Sequence, residues 1–267
     1  MTNSATSELL TQSGTSELDI PFELKSLSLA VNYQKWVYRT ISPYIGNRII
    51  EIGAGIGNMS RWLQAAERLI FTETEPYLLE ILKSNVEKWN PNPESKVHGQ
   101  NIDIRRLDVL NDDLSIYQSE NLDTVISFNV LEHIEDDLHV LKKLRELLSG
   151  GQHSGTKRII TFVPGHNWAY GTMDKSFGHF RRYSATSLRR MCRHVAPEAR
   201  ITVRYMNLVG LLGWYFSGKI LRRKSIGVGS IAIFEKLCPF LSPIDDFLHK
   251  KLKLPFGQSL LAVMEWD

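Results

Sequence analysis

The run RIIEI, residues 48–52, is almost wholly apolar and leads straight into glycine at positions 53, 55 and 57. A short apolar run of this kind suits the centre of a parallel sheet, where both faces are buried. Glycine at alternate positions weakens regular structure. It is used where the chain takes positive φ or where another group must approach the backbone. The stretch is therefore either a tight strand-to-helix corner or a site that receives a ligand against its main chain.

The rest of the chain repeats the same strand-and-helix unit. Residues 22–44 carry Leu24, Leu27, Val31, Trp36, Val37 and Ile41 at helical spacing and predict one helix, closed near Pro43. Asn58 predicts the cap of a helix reaching residue 66. RLIFTE (68–73) reads as a second strand, and Pro76 opens a helix to residue 89. After a loop at 91–100, strands are expected at 102–109, 122–129, 157–164, 200–207 and 258–266. Helices are expected at 135–149 and 185–195, the first with acids at its start and Gly150-Gly151 at its end. This alternation predicts an open α/β sheet with helices on both faces. Such sheets bind ligands beyond the carboxyl ends of their strands.

Composition narrows the class. At 267 residues and 43% apolar content the chain can bury a substantial core. Residues 1–20, rich in Ser and Thr, are expected to be a disordered tail, with 21–267 as one domain. They have neither the basic start nor the apolar run of a secretory signal, and no apolar run reaches the ~18 residues of a membrane span. Cys192 and Cys238 lie far apart and suggest no disulfide framework, so a cytoplasmic setting is expected. The net charge of +3 hides an asymmetry: residues 1–150 hold 14 Lys and Arg against 22 Asp and Glu, and residues 151–267 hold 18 against 7. The basic half points to an anionic partner: a phosphorylated or carboxylated substrate, a membrane surface or nucleic acid.

Two cofactor classes use a glycine-rich first turn. Dinucleotide sites read G-x-G-x-x-G, whereas this chain reads G-x-G-x-G and then Asn58, with Glu51 two residues before Gly53. An anion there opposes a pyrophosphate and suits an ammonium group. Glu73 closes the second strand, where it can accept from ribose hydroxyls. Asp108 closes the third, where it can accept from an adenine amino group, and Asp123 opens the fourth.

As a set, IIEIGAGIGN, FTETEP, RLDVL and DTVISFNVLEHI resemble the successive motifs of class I S-adenosylmethionine-dependent methyltransferases. AVNYQKW (30–36) resembles the helix that precedes the first motif in bacterial members acting on small molecules. The resemblance covers residues 30–207 and the last strand. It implies a Rossmann-like, seven-stranded, mostly parallel sheet with an antiparallel last strand, helices on both faces, and a helical insertion before that strand. It also implies S-adenosyl-L-methionine as cofactor. Glu51, Gly53, Gly55 and Gly57 would line its methionine part, Glu73 its ribose, and Asp108 with the backbone of Val109 its adenine. Asn129 would face the methionine end through its backbone, and His133 would lie nearby.

Residues 163–184, VPGHNWAYGTMDKSFGHFRRYS, follow the fifth strand and would face the transferred methyl group. His179 is the first choice for a general base, His166 the second and His133 the third. Trp168, Tyr170, Arg181, Arg182 and Tyr183 are candidate acceptor contacts: aromatics to wall an apolar body, arginines to pair with a carboxylate or phosphate. The competing reading is that Arg-Arg-Tyr-Ser caps the next helix and pairs with acids beneath it. No metal is expected, because HExxH and paired Cys/His spacings are missing and Asp136, Asp137 and His139 are explained by a helix start.

Residues 208–257 alternate short apolar stretches with Lys/Arg clusters. Three readings stay open: a helical lid, peripheral contact with an anionic membrane, or a homodimer face. The expected activity is methylation of a small or lipid-like, anionic acceptor, at oxygen. RNA methylation is the alternative; the Asn/Asp-Pro-Pro-aromatic motif of amino-group nucleic-acid enzymes is replaced by FNVL, and DNA is not expected. A nicotinamide oxidoreductase and a non-catalytic S-adenosylmethionine-binding protein are the rivals from other classes.

Overall fold

Strands β1 (Arg48–Ile52), β2 (Arg68–Glu73), β3 (Asn101–Arg106), β4 (Thr124–Phe128) and β5 (Lys157–Pro164) pair in parallel. The last strand in sequence, β7 (Ser259–Trp266), slots antiparallel between β5 and β6 (Arg200–Met206). The order across the single sheet is β3-β2-β1-β4-β5-β7-β6, so the chain reverses its direction of travel between β1 and β4. These features come from a computed structural model that describes residues 20–64, 66–89, 101–225 and 227–267. The tail expected at 1–20 therefore lies, but for its last residue, outside the described residues, as does the loop expected at 91–100.

Period-two alternation divides the apolar strand residues between two cores. Ile50, Ile70, Val125 and Ile159 face one side, under Leu141 and Leu144 of α4 (Asp137–Gly150) and Leu188 of α6 (Ala185–Val195). Ile49, Leu69, Ile126 and Ile160 face the other, under Trp36 and Val37 of α2 (Val31–Ile41) and Leu82 of α3 (Pro76–Trp89). Asp136 caps α4 and Ser184 caps α6, each accepting a backbone N–H three residues on.

Two expected elements differ. The helix expected at 22–44 breaks at Ala30 into α1 (Phe22–Leu29) and α2, and the side chain of Gln34 turns back to donate to the Leu27 carbonyl (2.6 Å). The helix expected at 58–66 is only a 3-10 turn, Ser60–Trp62. Asn58 does not cap it: its amide donates to the carbonyl of Leu24 (2.8 Å) and pins α1 across the glycine corner. The described part of 208–257 carries three helical elements: α7 (Leu208–Trp214), a π-helical turn (Tyr215–Ile220) and α8 (Val228–Lys250). The short α5 (Thr172–Ser176) lies between β5 and α6.

Candidate active site

The carboxyl ends of β1 to β5 bring the glycine corner, Glu73, Asp108, Asn129 and residues 163–184 to one edge of the sheet. Gly53, Gly55 and Gly57 all have positive φ, at 68°, 59° and 85°. That conformation favours glycine, and the space also demands it. A Cβ on Gly55 would lie 2.9 Å from the Leu24 side chain, and one on Gly57 would lie 2.3 Å from Trp89.

Glu51, the next-to-last residue of β1, is buried, and its Oε2 has no hydrogen-bond partner. Burial, reinforced by the charge of Glu73, pushes its carboxyl up to about 7. A buried carboxyl with an orphaned oxygen is the group that a ligand's ammonium would satisfy. Glu73 accepts the Gly55 N–H on Oε2 (2.8 Å) and the N–H groups of Thr74 (2.8 Å) and Glu75 (3.1 Å) on Oε1. Each oxygen can accept more than one bond, and the carboxylate is locked to the corner itself.

Asp108 behaves differently. Its carboxylate closes its own turn, accepting from the side chain of Asn111 and the backbone of Leu110, and those bonds hold it below the usual carboxylate range. Val109 beside it is buried, so the backbone at this strand end is fixed. Asn129 sits at positive φ (52°), its N–H bonded to the Phe162 carbonyl. Asp123 lies at the opposite edge of the sheet from this group: its Oδ2 accepts from the N–H groups of Asn47 and Arg48 at the start of β1 and closes the sheet there.

The histidines of the candidate set separate. His133, in the turn after β4, lies with its ring centroid 4.7 Å from that of His179, edge to face. His166, also at positive φ (65°), is elsewhere: it stacks on Tyr205 (4.5 Å), and its Nε2 faces the N–H of Gly257 at 3.3 Å. Burial and the Arg182 charge hold His166 below its ordinary value. It acts as a plug between β6 and the end of the insertion.

His179 is buried between two acids. Its Nδ1 lies 3.1 Å from Asp174 Oδ1, and its Nε2 lies 3.6 Å from Glu23 Oε1. Burial opposes a charged imidazole, but Asp174, Glu23 and the charge of Glu132 outweigh it and raise His179 to about 9. His133 shifts the other way, to about 4, first because protein surrounds much of its ring and then because His179 is positive. By its surface area His133 is nonetheless an exposed residue, which limits how far desolvation can act on it. Glu132 is fully buried with neither oxygen hydrogen-bonded, and burial pushes it up to about 8. Glu23, His133 and His179 also bring one potential metal-ligating atom each within 4.8 Å of one another, a grouping the spacing of the sequence did not suggest. A divalent ion could use it only after displacing the His179 proton.

The other candidate acceptor contacts mostly build the wall of this site. The Arg182 Nε bonds Asp174 Oδ1 (2.6 Å), one terminal nitrogen bonds the Gly165 carbonyl (3.0 Å), and the guanidinium lies over the Trp214 ring. Arg181 pairs with Asp137 (3.1 Å) and the Glu135 carbonyl (2.7 Å). Tyr183 donates to Asp137 (2.6 Å), and burial with that bond pushes its phenol far up. Tyr170 donates to the His179 carbonyl (2.8 Å), and Trp168 is half exposed. Both arginines thus have protein carboxylates as partners, which is the competing reading of Arg-Arg-Tyr-Ser.

Glu23, Glu132 and Trp214 escaped sequence reasoning. Glu132 alone left a signal, as an acid between apolar Leu131 and His133. Trp214 reaches in from the insertion, its Nε1 donating to Asp174 Oδ2 (3.2 Å). A cleft of about 370 Å³ opens beside these groups, lined by Pro21, Phe22, Glu23, Ser176, Phe177, Lys224 and Ser225.

A methyltransferase-domain family model matches residues 50–152, which holds the strand ends from Glu51 to Asn129. No curated protein sequence matches the chain at a significant level. Among solved structures, the methyltransferase domain of bacterial CtHen1 aligns over 88% of this chain and 100% of its own, with TM-score 0.54 and 14% identity. An S-adenosylmethionine-dependent methyltransferase from Archaeoglobus fulgidus aligns over 92% and 100%, with TM-score 0.55 and 11% identity. A possible histamine N-methyltransferase from Thermotoga maritima aligns over 91% and 93%, with TM-score 0.55 and 12% identity. At these identities the likeness is one of fold. The family-model match places a methyltransferase domain at residues 50–152, and the chain as a whole has the fold of S-adenosylmethionine-dependent methyltransferases, with the motif series on the matching strand ends and a buried acid suited to the cofactor's ammonium.

Proposed function

We propose that the enzyme methylates an oxygen of a small or lipid-like acceptor, with His133 taking the acceptor's proton and His179 holding the oxygen as a fixed cation. The observation that carries this is the edge-to-face contact of the two imidazoles, with Asp174 and Glu23 beside His179 favouring its protonated form and desolvation with the His179 charge disfavouring that of His133. Held between Asp174 and Glu23, His179 is suited to donate a proton rather than accept one. The first choice of base from the sequence is therefore replaced by the third, and His166 is committed to Gly257.

Glu51 and the glycine corner would hold the methionine part of S-adenosylmethionine, and Glu73 its ribose. Bound there, the cofactor supplies a methyl group on positively charged sulfur, ready for in-line displacement. The protein's remaining task is alignment, which can supply roughly 7–11 kcal/mol of a barrier. Asp174 fixes His179, and Arg182 and Trp214 fix Asp174. With its Nε2 released from the 3.6 Å contact with Glu23, His179 would donate to the acceptor oxygen, and His133, exposed beside it, would remove the acceptor's own proton as the new bond forms. A positioned base adds on the order of 10²–10⁴-fold. Two walls of the cleft, Glu23 and Phe177, are immediate neighbours of His179, and Lys224 at its rim suits an anionic acceptor.

RNA as acceptor is the second reading, favoured by the excess of 18 basic over 7 acidic residues after residue 150. Labelled cofactor incubated with cell extract separated into organic, small-molecule and RNA fractions decides between them. Label in the organic or small-molecule fraction, lost with His133→Ala, supports the proposal. Label confined to RNA would overturn it in favour of the second reading, and no turnover in any fraction would favour a cofactor-binding protein without catalysis.

A further inference from the structure

The longest helix of the insertion is inside out. Residues Cys238, Ser242, Asp245 and His249 of α8, spaced four, three and four, form its buried stripe. Ile233, Leu237, Phe240, Ile244 and Phe247 form the opposite stripe, and all are exposed, Phe240 by 73% and Ile233 by 63%. An ordinary surface helix of a globular protein turns its apolar stripe inward. Leu212, Phe216 and Ile220, before α8, are exposed as well. Neither these side chains nor the stripe on α8 has a covering partner among the described residues.

The charges of residues 208–257 say what covers it. Eight are basic and three acidic. All three acids point inward and are used by the fold. Glu235 accepts from the N–H groups of Asn32 and Tyr33, and Asp245 from those of Asn207 and Leu208. Asp246 accepts from the Trp36 indole and pairs with Arg39 and Lys250. All eight cations are exposed: Lys219 and residues 222–224 at one end, Lys236 on α8, and Lys250, Lys251 and Lys253 at the other. An apolar stripe ringed by cations alone is the signature of a helix lying in the interface of an anionic membrane. No helix among the described residues is long and apolar enough to cross one, and Pro239 and Pro243 interrupt α8.

We propose that α8 and the π-helical turn before it dock flat on an anionic lipid bilayer, the apolar stripe entering the acyl boundary and the basic ring meeting the phosphates. A second copy fits poorly, because an isologous contact would set the basic ring of one chain against that of the other. RNA would place a charged backbone along a stripe of Ile, Leu and Phe. The proposal requires nothing of the acceptor's identity. Arg222 to Ser225 nonetheless link this surface to the cleft, since Ser176 bonds the Lys224 carbonyl and Lys224 lines both.

The test is co-sedimentation of the full chain with vesicles of phosphatidylcholine alone or mixed with phosphatidylglycerol. Partition should rise on the order of tenfold with the anionic lipid, and fall back in ~1 M salt, where the screening length is ~3 Å. Phe240→Glu with Phe247→Glu should abolish it, while Lys236→Glu, Lys251→Glu and Lys253→Glu together should abolish only the anionic preference. Retained cofactor binding by each variant shows that it is folded. As an independent readout, Phe240→Trp should be quenched by brominated lipid. Three outcomes would overturn the proposal: equal, salt-insensitive sedimentation with both lipids; a dimer in light scattering that Phe240→Glu dissolves without vesicle binding; or RNA binding that the three lysine changes remove while vesicles are ignored.

Discussion

Asp174 is the group whose replacement tests the two-histidine arrangement most directly. Its Oδ1 faces His179 Nδ1 at 3.1 Å, and it is fully buried, so little water screens the pair. Moving an imidazole from 6.5 to about 9 corresponds to about 3 kcal/mol of preference for the folded, protonated form. A raised histidine contributes that stability fully below pH 6.5 and loses it as pH climbs through 9. Wild-type protein should therefore lose up to about 3 kcal/mol of urea-measured stability between pH 6 and pH 10 from this group. Asp174→Asn also frees Arg182, Trp214 and the N–H of Gly171, so it should destabilise the fold at every pH. Its distinguishing mark is the pH dependence, which should flatten. Imidazole proton resonances followed by NMR give the direct reading: His179 should titrate near 9 in the wild type and well lower in the variant. His179→Gln should raise the His133 midpoint above 4, because the neighbouring charge is gone. A wild-type His179 that titrates at or below 6.5, or one that Asp174→Asn leaves in place, would refute the arrangement and the roles drawn from it.

Gly55→Asp forces an L-residue to φ 59° and drives its Cβ toward Leu24, so calorimetry should show cofactor binding lost. Glu51→Gln should act with opposite signs on the free and loaded enzyme. A buried carboxyl raised to about 7 loses folding stability as pH rises from 4.5 through 7, so the amide should stabilise the free protein at pH 8, by up to about 3 kcal/mol. The same change should weaken cofactor binding, which calorimetry reads separately. His133→Ala should cut turnover on the order of 10²–10⁴-fold while leaving cofactor affinity near wild type. Turnover should hold between about pH 5 and 8 and fall as pH rises through 9, where His179 loses its proton; a rate that instead climbs through 9 would make His179 the base.

The strand ends were legible because each depends on a local pattern. An apolar run fixes a buried parallel strand, and β5 and α6 fall where alternation and the Ser184 cap put them. The glycine corner was legible for the same reason, since positive φ leaves a glycine in the sequence. The chemistry was less so. His179 is first among the histidines by position, yet its state is set by Glu23, more than 150 residues away, and by Glu132, whose side chain turns inward. The Arg181-Arg182 pair looked free to hold an anionic ligand because Asp137 and Asp174, which hold it, lie on other elements. Long-range electrostatics of this sort has no periodic signature.

The insertion shows the limit most clearly. Residues 228–250 form a helix, and the ordinary rule for a surface helix takes its apolar stripe as the buried side. Here the polar stripe is the one held against the body. Asp245 caps the backbone at Asn207 and Leu208, and both ring nitrogens of His249 face oxygens, Nδ1 toward Asp245 and Nε2 toward the Phe256 carbonyl. Those bonds oppose the effect of burial and hold His249 above its ordinary value, so a polar pair fastens this part of the helix while Cys238 and Phe234 pack its earlier turns into the core. Replacing His249 with Leu would add apolar surface to the buried face yet leave Asp245 without its partner. It should loosen α8 rather than tighten it, because a lone buried carboxylate costs more than the new methyl groups return. Hydrogen exchange along residues 228–250 would show the loss, and unchanged protection would mean that packing, not the Asp245–His249 pair, sets which face of the helix looks outward.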